Sequence, residues 1–416
     1  MSLPGFEPGS AGPKPNILSI ELQAHLIIRM KTYLKVLLLV ILKKMVFNRK
    51  FWATAFTLTG TIIGAGILGL PYAFSKSGFL VGLAWLIALG LILIFVSLCL
   101  GEITLRTKGK HQLAGYAEKY LGKWAKRIMV FAVIFGIYSA LLAYLIGEGL
   151  SLSFIFTGGV DYAIYFAIGF WLIMTLLLKE GLKGLKKIET WGVLAIIGMI
   201  LLIVIWFAPQ VEFNNLLSFN QAYLFLPFGV ILFALMGFTS IPELRMEIKG
   251  QEKIFKKAII IGALIPVFIY LIFTLIFVGV LGETIPEVAT LGFGKLVVIF
   301  GIFTMLTSFF VLSFSLKDLV KYDLKLSKGF SFLLVSIAPL VLYLLVSFFK
   351  IADFVKVLGV GGVVAGGLTG ILILFIHKKA EKMGDRRPEY NLKLPWIIVW
   401  LFSLIFVFGI VVELFF

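Results

Sequence analysis

Long apolar runs, interrupted by short stretches rich in lysine and arginine, set the pattern of this chain. Eleven runs stand out: 51–75, 80–105, 128–150, 162–178, 191–207, 224–244, 258–281, 296–316, 330–348, 351–376 and 395–415. A helix needs about twenty residues to cross the hydrocarbon of a bilayer. Hydrocarbon offers backbone N–H and C=O groups no partner, so each run must satisfy its own groups as a helix. The alternating segments of about ten residues that mark a β-barrel are absent. The pattern predicts an all-α polytopic membrane protein with 11 transmembrane helices, the ninth and tenth joined by a tight turn near Lys350.

Three stretches fall outside this scheme. Residues 1–44 form an atypical leader with Pro or Gly at 4, 5, 8, 9, 12, 13 and 15. Its apolar run 36–42 is too short to span; it reads as an interfacial helix, or as sequence ahead of a mis-assigned start, since Met30 and Met45 precede better-behaved sequence. Segment 111–126 carries Leu113, Tyr116, Ala117, Tyr120 and Leu121 at helical spacing, which predicts an amphipathic surface helix. Segment 286–293 reads as a short re-entrant or capping helix between the seventh and eighth spans.

Composition agrees with the pattern. Of 416 residues, 61% are apolar and 14% charged, against about 25% charged in soluble domains. A net charge of +17 raises the question of nucleic acid, but the basic residues sit between spans, where topology explains them. With the amino terminus cytoplasmic, all of the 38 basic residues fall inside except Lys76, Lys295, Lys350 and Lys356. One missed span would reverse every later segment, so the bias favours an odd count and an extracytoplasmic carboxyl terminus in the cell membrane. Cys99 lies inside a run and reads as a small buried hydrophobe. His25, His111 and His377 form no cluster and lie outside the predicted span interiors, and no phosphate-cradling Gly-x-x-x-x-Gly-Lys-Ser/Thr occurs. No enzyme, no cofactor, no nucleic acid and no obligate protein partner is expected; the expected partners are the bilayer and a small molecule.

Two spans are interrupted. The first reads Thr59-Gly60-Thr61-Ile62-Ile63-Gly64-Ala65-Gly66-Ile67-Leu68-Gly69-Leu70-Pro71, and glycine weakens a helix because it has the most backbone entropy to lose. The sixth reads Leu235-Met236-Gly237-Phe238-Thr239-Ser240-Ile241-Pro242-Glu243. Small residues at i and i+4, such as Gly60 and Gly64, also suit close helix packing, which is the other account of the first string. Interruptions in corresponding spans of two halves point instead to a transporter site. Five spans separate them, so the halves would be inverted repeats: 45–209, then 210–377, with 378–416 supplying a cytoplasmic linker and a peripheral helix 11.

The string from Gly60 to Pro71, followed by Tyr72, Ala73 and Phe74, resembles the first helix of the amino acid/auxin permease and aromatic amino acid (tryptophan/tyrosine) permease branches of the amino acid–polyamine–cation transporter superfamily. Gly101 and Glu102, with the basic segment after them, add to a resemblance of layout over roughly 47–416. It implies a LeuT-like 5+5 inverted repeat with discontinuous helices 1 and 6, and ion-coupled secondary transport of amino acids. On that resemblance the substrate carboxylate meets Gly64, Ala65, Gly66 and the Thr61 hydroxyl, while carbonyls of Leu235, Met236, Gly237 and Phe238 hold its amino group. Its side chain lies against Phe233, Phe238 and either Tyr138 or Tyr144. Sodium is implied between carbonyls of Gly60, Ile63 and Thr304 and the hydroxyls of Thr307 and Ser308. The bland alternative is that these hydroxyls bond back onto their own helix. In proton-coupled relatives a fifth-span lysine takes the ion position; 191–207 has none, which favours Na⁺ over H⁺.

Charged groups in spans are costly and usually functional. Glu102 and Glu243 sit at inner helix ends as gate or anchor candidates, and Glu148 near the outer end of the third span is a gate or proton-coupling candidate, or an interfacial residue. No acid lies in the middle of spans one, six or eight, which favours a neutral, hydrophobic or aromatic L-amino acid moved by alternating access. A channel or a membrane amino-acid sensor is the alternative.

Overall fold

A computed structural model describes residues 49–180, 196, 198–320 and 327–415. The leader 1–44 and residues 191–195 and 197 of the fifth predicted span lie outside the described residues. The described residues from Lys50 onward form one compact unit.

The helices are α1 (Arg49–Ile62), α2 (Gly66–Ser77), α3 (Phe79–Arg106), α4 (Leu113–Leu121), α5 (Lys123–Thr157) and α6 (Ala163–Glu180). After α7 (Gly198–Gln210) come α8 (Leu226–Ala234), α9 (Ile241–Glu247), α10 (Phe255–Leu281) and α11 (Lys295–Asp318). The last three are α12 (Gly329–Phe349), α13 (Phe354–Met383) and α14 (Trp396–Phe415). Eight helical segments are long and apolar enough to cross a membrane, or nine when the bent pair α1 and α2 counts as one span. The described residues thus form an all-α, multi-pass membrane protein. Helices α6 and α7 are apolar but shorter.

Local chemistry sets the joints. Gly122, at φ 91°, separates α4 from α5 in a conformation that a side chain would resist. Lys350 takes the left-handed conformation at the end of α12, and the Asp353 side chain then caps α13 by accepting from the Lys356 amide at 2.8 Å. Segment 286–293 contains a 3₁₀ turn over Ala289–Phe293 with Ala289 and Thr290 buried. Helix α4 buries Leu113, Tyr116, Ala117 and Tyr120 against α5, the face its spacing predicts. Cys99 is buried.

One sequence-based boundary changes, and the last helix is tied in more closely than a peripheral one. The tenth helix continues beyond residue 376 to Met383, which puts His377 wholly inside the protein rather than at a loop end. Helix α14 exposes Trp396, Ile397, Trp400, Leu401 and Leu404 on one face, yet its other face inserts the buried Glu413 between Gly229 of α8 and Gly359 of α13. Lys356 of α13 donates to the Glu413 carbonyl at 2.8 Å, so the last helix is fastened to the bundle at that end.

Candidate functional site

The chain opens where its glycines fall. Between α1 and α2 the axis bends by 58° across residues 63–65. Helix α2 begins with tight bonds, Ile67 N to Gly64 O at 3.4 Å and Leu68 N to Ala65 O at 2.9 Å. Between α8 and α9 the helix lapses over 235–240, where Ser240 returns both its amide and its hydroxyl to the Gly237 carbonyl, at 3.3 and 2.9 Å. The two gaps face one another. A Cβ on Gly66 would lie 2.5 Å from Ala234 Cα, and one on Gly237 would lie 2.6 Å from the Ile62 side chain. The start of α2 therefore meets the end of α8, and the end of α1 meets the second gap. Free amides at a helix start favour an anion, and carbonyls at a helix end favour a cation.

Two tyrosines line this meeting point. A Cβ on Gly64 would sit 3.1 Å from the Tyr144 hydroxyl and 3.6 Å from Ser308 Oγ, and the same hydroxyl contacts Ser308 and the Ala65 backbone. Thus helices α5 and α11 reach the first gap. Tyr270 of α10, fully buried, is a site residue that the sequence pattern does not single out. Its hydroxyl lies 2.8 Å from the Ile62 carbonyl and 2.9 Å from the Ala234 carbonyl, one from each interrupted span. One proton serves both acceptors, so Tyr270 ties the two gaps together. Tyr270→Phe is expected to leave these carbonyls short of a donor and to cost about 1–2 kcal/mol, or roughly tenfold in ligand affinity. Calorimetric binding and thermal melts would check this; unchanged values for both would remove Tyr270 from the site.

The remaining sequence-predicted residues divide. Ala65 and Phe238 are buried at the gaps, and Leu235 approaches Gly90 of α3. Phe233 packs on Gly361 and Gly362 of α13, and Met236 on Gly366, so both side chains brace the gap from behind. Tyr138 points elsewhere, donating to the Leu334 carbonyl at 2.8 Å, which leaves Tyr144 as the third-span tyrosine at the gap. Thr61 is exposed, and its hydroxyl bonds back to the Thr57 carbonyl at 2.9 Å. In the sodium group, Thr307 bonds to the carbonyls of Phe303 at 3.1 Å and Thr304 at 3.0 Å, and Thr304 donates to Phe300 at 2.8 Å. Only Ser308 of those hydroxyls turns to the gap beside Gly64; the others follow the back-bonded arrangement.

The carboxylates separate just as clearly. Glu243 is exposed in the first turn of α9. Glu148 is fully buried, not interfacial, and neither of its oxygens has a hydrogen-bond partner among the described residues. It lies one helical turn from Tyr144 on the same face of α5. Glu102 is also fully buried, but saturated: Arg106 Nε donates at 2.7 Å and the Leu392 amide at 2.6 Å. His377 Nε2 lies 3.1 Å from it, without the alignment of a hydrogen bond.

Another acid emerges at the opposite end of the bundle. Glu287, in the segment joining α10 to α11, accepts from the Val355 amide at 3.3 Å beside Asp353. Burial, and then the Asp353 carboxylate, push the Glu287 carboxyl up to about 7. The folded chain then holds a proton that the unfolded chain has released, so stability falls as pH rises from the ordinary 4.5 toward about 7. Glu287→Gln is expected to flatten this slope in melting curves between those pH values; an unchanged slope would contradict it.

The family model described as tryptophan/tyrosine permease matches residues 47–416. Tyrosine-specific transport systems 1 and 2 of Haemophilus influenzae are 25% and 27% identical over 229 and 249 residues, covering 54% and 57% of this chain. Glutamine transporter 2 of Aliivibrio fischeri is 23% identical over 238 residues, 56% of this chain. The chain spans 57%, 60% and 61% of the lengths of these curated relatives, respectively. All three are transport proteins rather than enzymes.

Proposed function

The chain belongs to the tryptophan/tyrosine permease family, and from that premise we propose that it is a secondary active transporter of neutral, hydrophobic or aromatic L-amino acids. The observation that carries the reading is the apposition of the two gaps, with Gly66 against Ala234 and Tyr144 and Tyr270 at the seam. An α-carboxylate suits the amides at the start of α2, and an ammonium suits carbonyls around 235–238. The relatives named for tyrosine and glutamine support an amino acid as cargo.

In this reading α6 and α7 complete eleven spans, and 45–209 and 210–377 are inverted five-helix units whose first members are discontinuous. The chain's amino terminus is cytoplasmic, its carboxyl terminus extracytoplasmic, and cargo crosses by alternating access. The coupling ion is Na⁺, held by Ser308 with carbonyls of Gly60, Ile63 and Thr304 once Thr307 turns from its own helix. Proton coupling is the second reading, and the unpartnered, buried Glu148 favours it.

Purified protein in liposomes is expected to accumulate labelled tyrosine, tryptophan or another neutral amino acid under an imposed Na⁺ gradient, and Ser308→Ala to weaken that dependence. Uptake that persists in choline, collapses with the pH gradient and fails in Glu148→Gln would replace sodium with protons. Non-saturating flux would indicate a channel, and binding without flux a sensor.

A further inference from the structure

The segment 384–395, between α13 and α14, is laced across the end of α3. Asp385 and Arg386 donate their amides to the Arg106 carbonyl at 2.8 and 3.2 Å, Tyr390 donates to the Leu98 carbonyl at 2.7 Å, and Leu392 donates to Glu102. This strap borders an open pocket of about 450 Å³ whose charged lining is Arg106, Glu381, Arg387 and Lys393, with Asn391 beside them.

The charges around it are unevenly committed. Every acid of the segment 378–395 is already taken: Glu381 by Lys378 at 2.6 Å, Asp385 by Lys119 at 2.5 Å, and Glu389 by Arg386. The Lys119 bond, with the Lys108 amide, holds the Asp385 carboxyl below its ordinary range, so it stays ionised and occupied. Arg106 is committed to Glu102 and to Asn391, the latter at 3.1 Å. Arg387 and Lys393 are exposed, line the pocket, and have no ion pair or hydrogen bond among the described residues. The pocket thus offers two uncompensated cations with the nearby acids neutralised.

The chain leaves this pocket at Pro395 and enters α14 directly. There Trp396, Ile397, Trp400 and Leu401 are all more than half exposed, the signature of a face meeting lipid. Exposed tryptophans at a helix end place that end at headgroup depth. A soluble anion would use the cations and ignore this apolar face; a phospholipid would use both. We propose that the pocket binds the phosphate headgroup of an anionic phospholipid, whose acyl chains lie along the Trp396–Trp400 face of α14. Basic pockets at the ends of transmembrane helices take such headgroups by charge. The bound lipid would hold the strap against α3, since the pocket lining takes Arg106 from α3 and Asn391 from the strap.

The test is native mass spectrometry of the delipidated full chain, titrated separately with phosphatidylglycerol, phosphatidylcholine and inorganic phosphate. Phosphatidylglycerol is expected to bind in preference to phosphatidylcholine, and millimolar phosphate to compete poorly. Arg387→Ala with Lys393→Ala should weaken phosphatidylglycerol binding roughly thirty-fold, from the typical worth of a basic residue at a charged surface. Lys379→Ala with Lys382→Ala removes the same charge outside the pocket lining and should have far less effect. Equal binding of the two lipids would overturn the proposal, as would equal losses in the two double variants. Binding of inorganic phosphate as tight as that of phosphatidylglycerol would reassign the site to a soluble anion and sink the lipid. None of these outcomes depends on amino-acid transport, so the two proposals fail separately.

Discussion

Gly66→Val is expected to abolish amino-acid uptake while leaving the protein folded and membrane-inserted. A Cβ at this position would lie 2.5 Å from Ala234 Cα and 2.6 Å from Ala234 Cβ. The obstacle is backbone and the first side-chain atom, neither of which can swing aside. The start of α2 and the end of α8 must then separate. Overpacking in a tight core costs up to about 3 kcal/mol, which corresponds to roughly a hundredfold in affinity when the strain falls on the bound geometry. Separation would also pull Tyr270 from at least one of its two carbonyls. The matched control is Gly169→Val in α6, where a Cβ meets nothing within 4 Å. Uptake in liposomes and binding in detergent would both be measured, with melting curves to show folding. Normal uptake by Gly66→Val would mean that the two gaps are packing features and not a binding seam.

The gaps themselves are legible in the sequence, for a definite reason. Gly64, Gly66 and Gly237 mark them because glycine and nearby proline weaken helices wherever they occur, whatever surrounds them. The apolar runs are legible for the same kind of reason: lipid imposes a length and a composition on each span separately. The direction in which a side chain faces is not legible in this way. Tyr138 and Tyr144 occupy similar surroundings along α5, yet one donates to Leu334 and the other reaches Gly64. Thr61 sits inside the informative string but is exposed and spends its hydroxyl on the Thr57 carbonyl of its own helix. Tyr270 is inconspicuous in an apolar run because its meaning comes from two carbonyls 208 and 36 residues away in sequence. His377 falls just past the apolar run that predicts its helix, so the pattern alone places it in a loop. The helix runs on past it, and Glu102, from a helix 275 residues earlier in the chain, lies beside the buried ring.

That buried cluster carries the second large effect. Glu102→Ala would strip one carboxylate from Arg106, from the Leu392 amide and from the neighbourhood of His377 at once. Removing one partner of a buried charge pair typically costs about 3–5 kcal/mol, because the remaining charge is left desolvated and alone. Arg106 is only partly exposed and also holds Asn391, so it cannot recover full hydration without releasing the strap. The expected result is a lower melting temperature together with faster tryptic cleavage after Arg386 and Lys393, which the strap carries. Glu102→Gln keeps one acceptor oxygen, for Arg106 or for the Leu392 amide but not both, and loses the charge, so it should fall between the wild type and Ala. The two readouts separate cause from consequence. A protein that melts early with unchanged cleavage has lost core stability alone, whereas faster cleavage at temperatures well below the melt shows the strap opening by itself. If neither changes, the buried cluster does not fasten α3 to the strap, and the closed arrangement of that face must rest on the Arg106 carbonyl and Tyr390 instead.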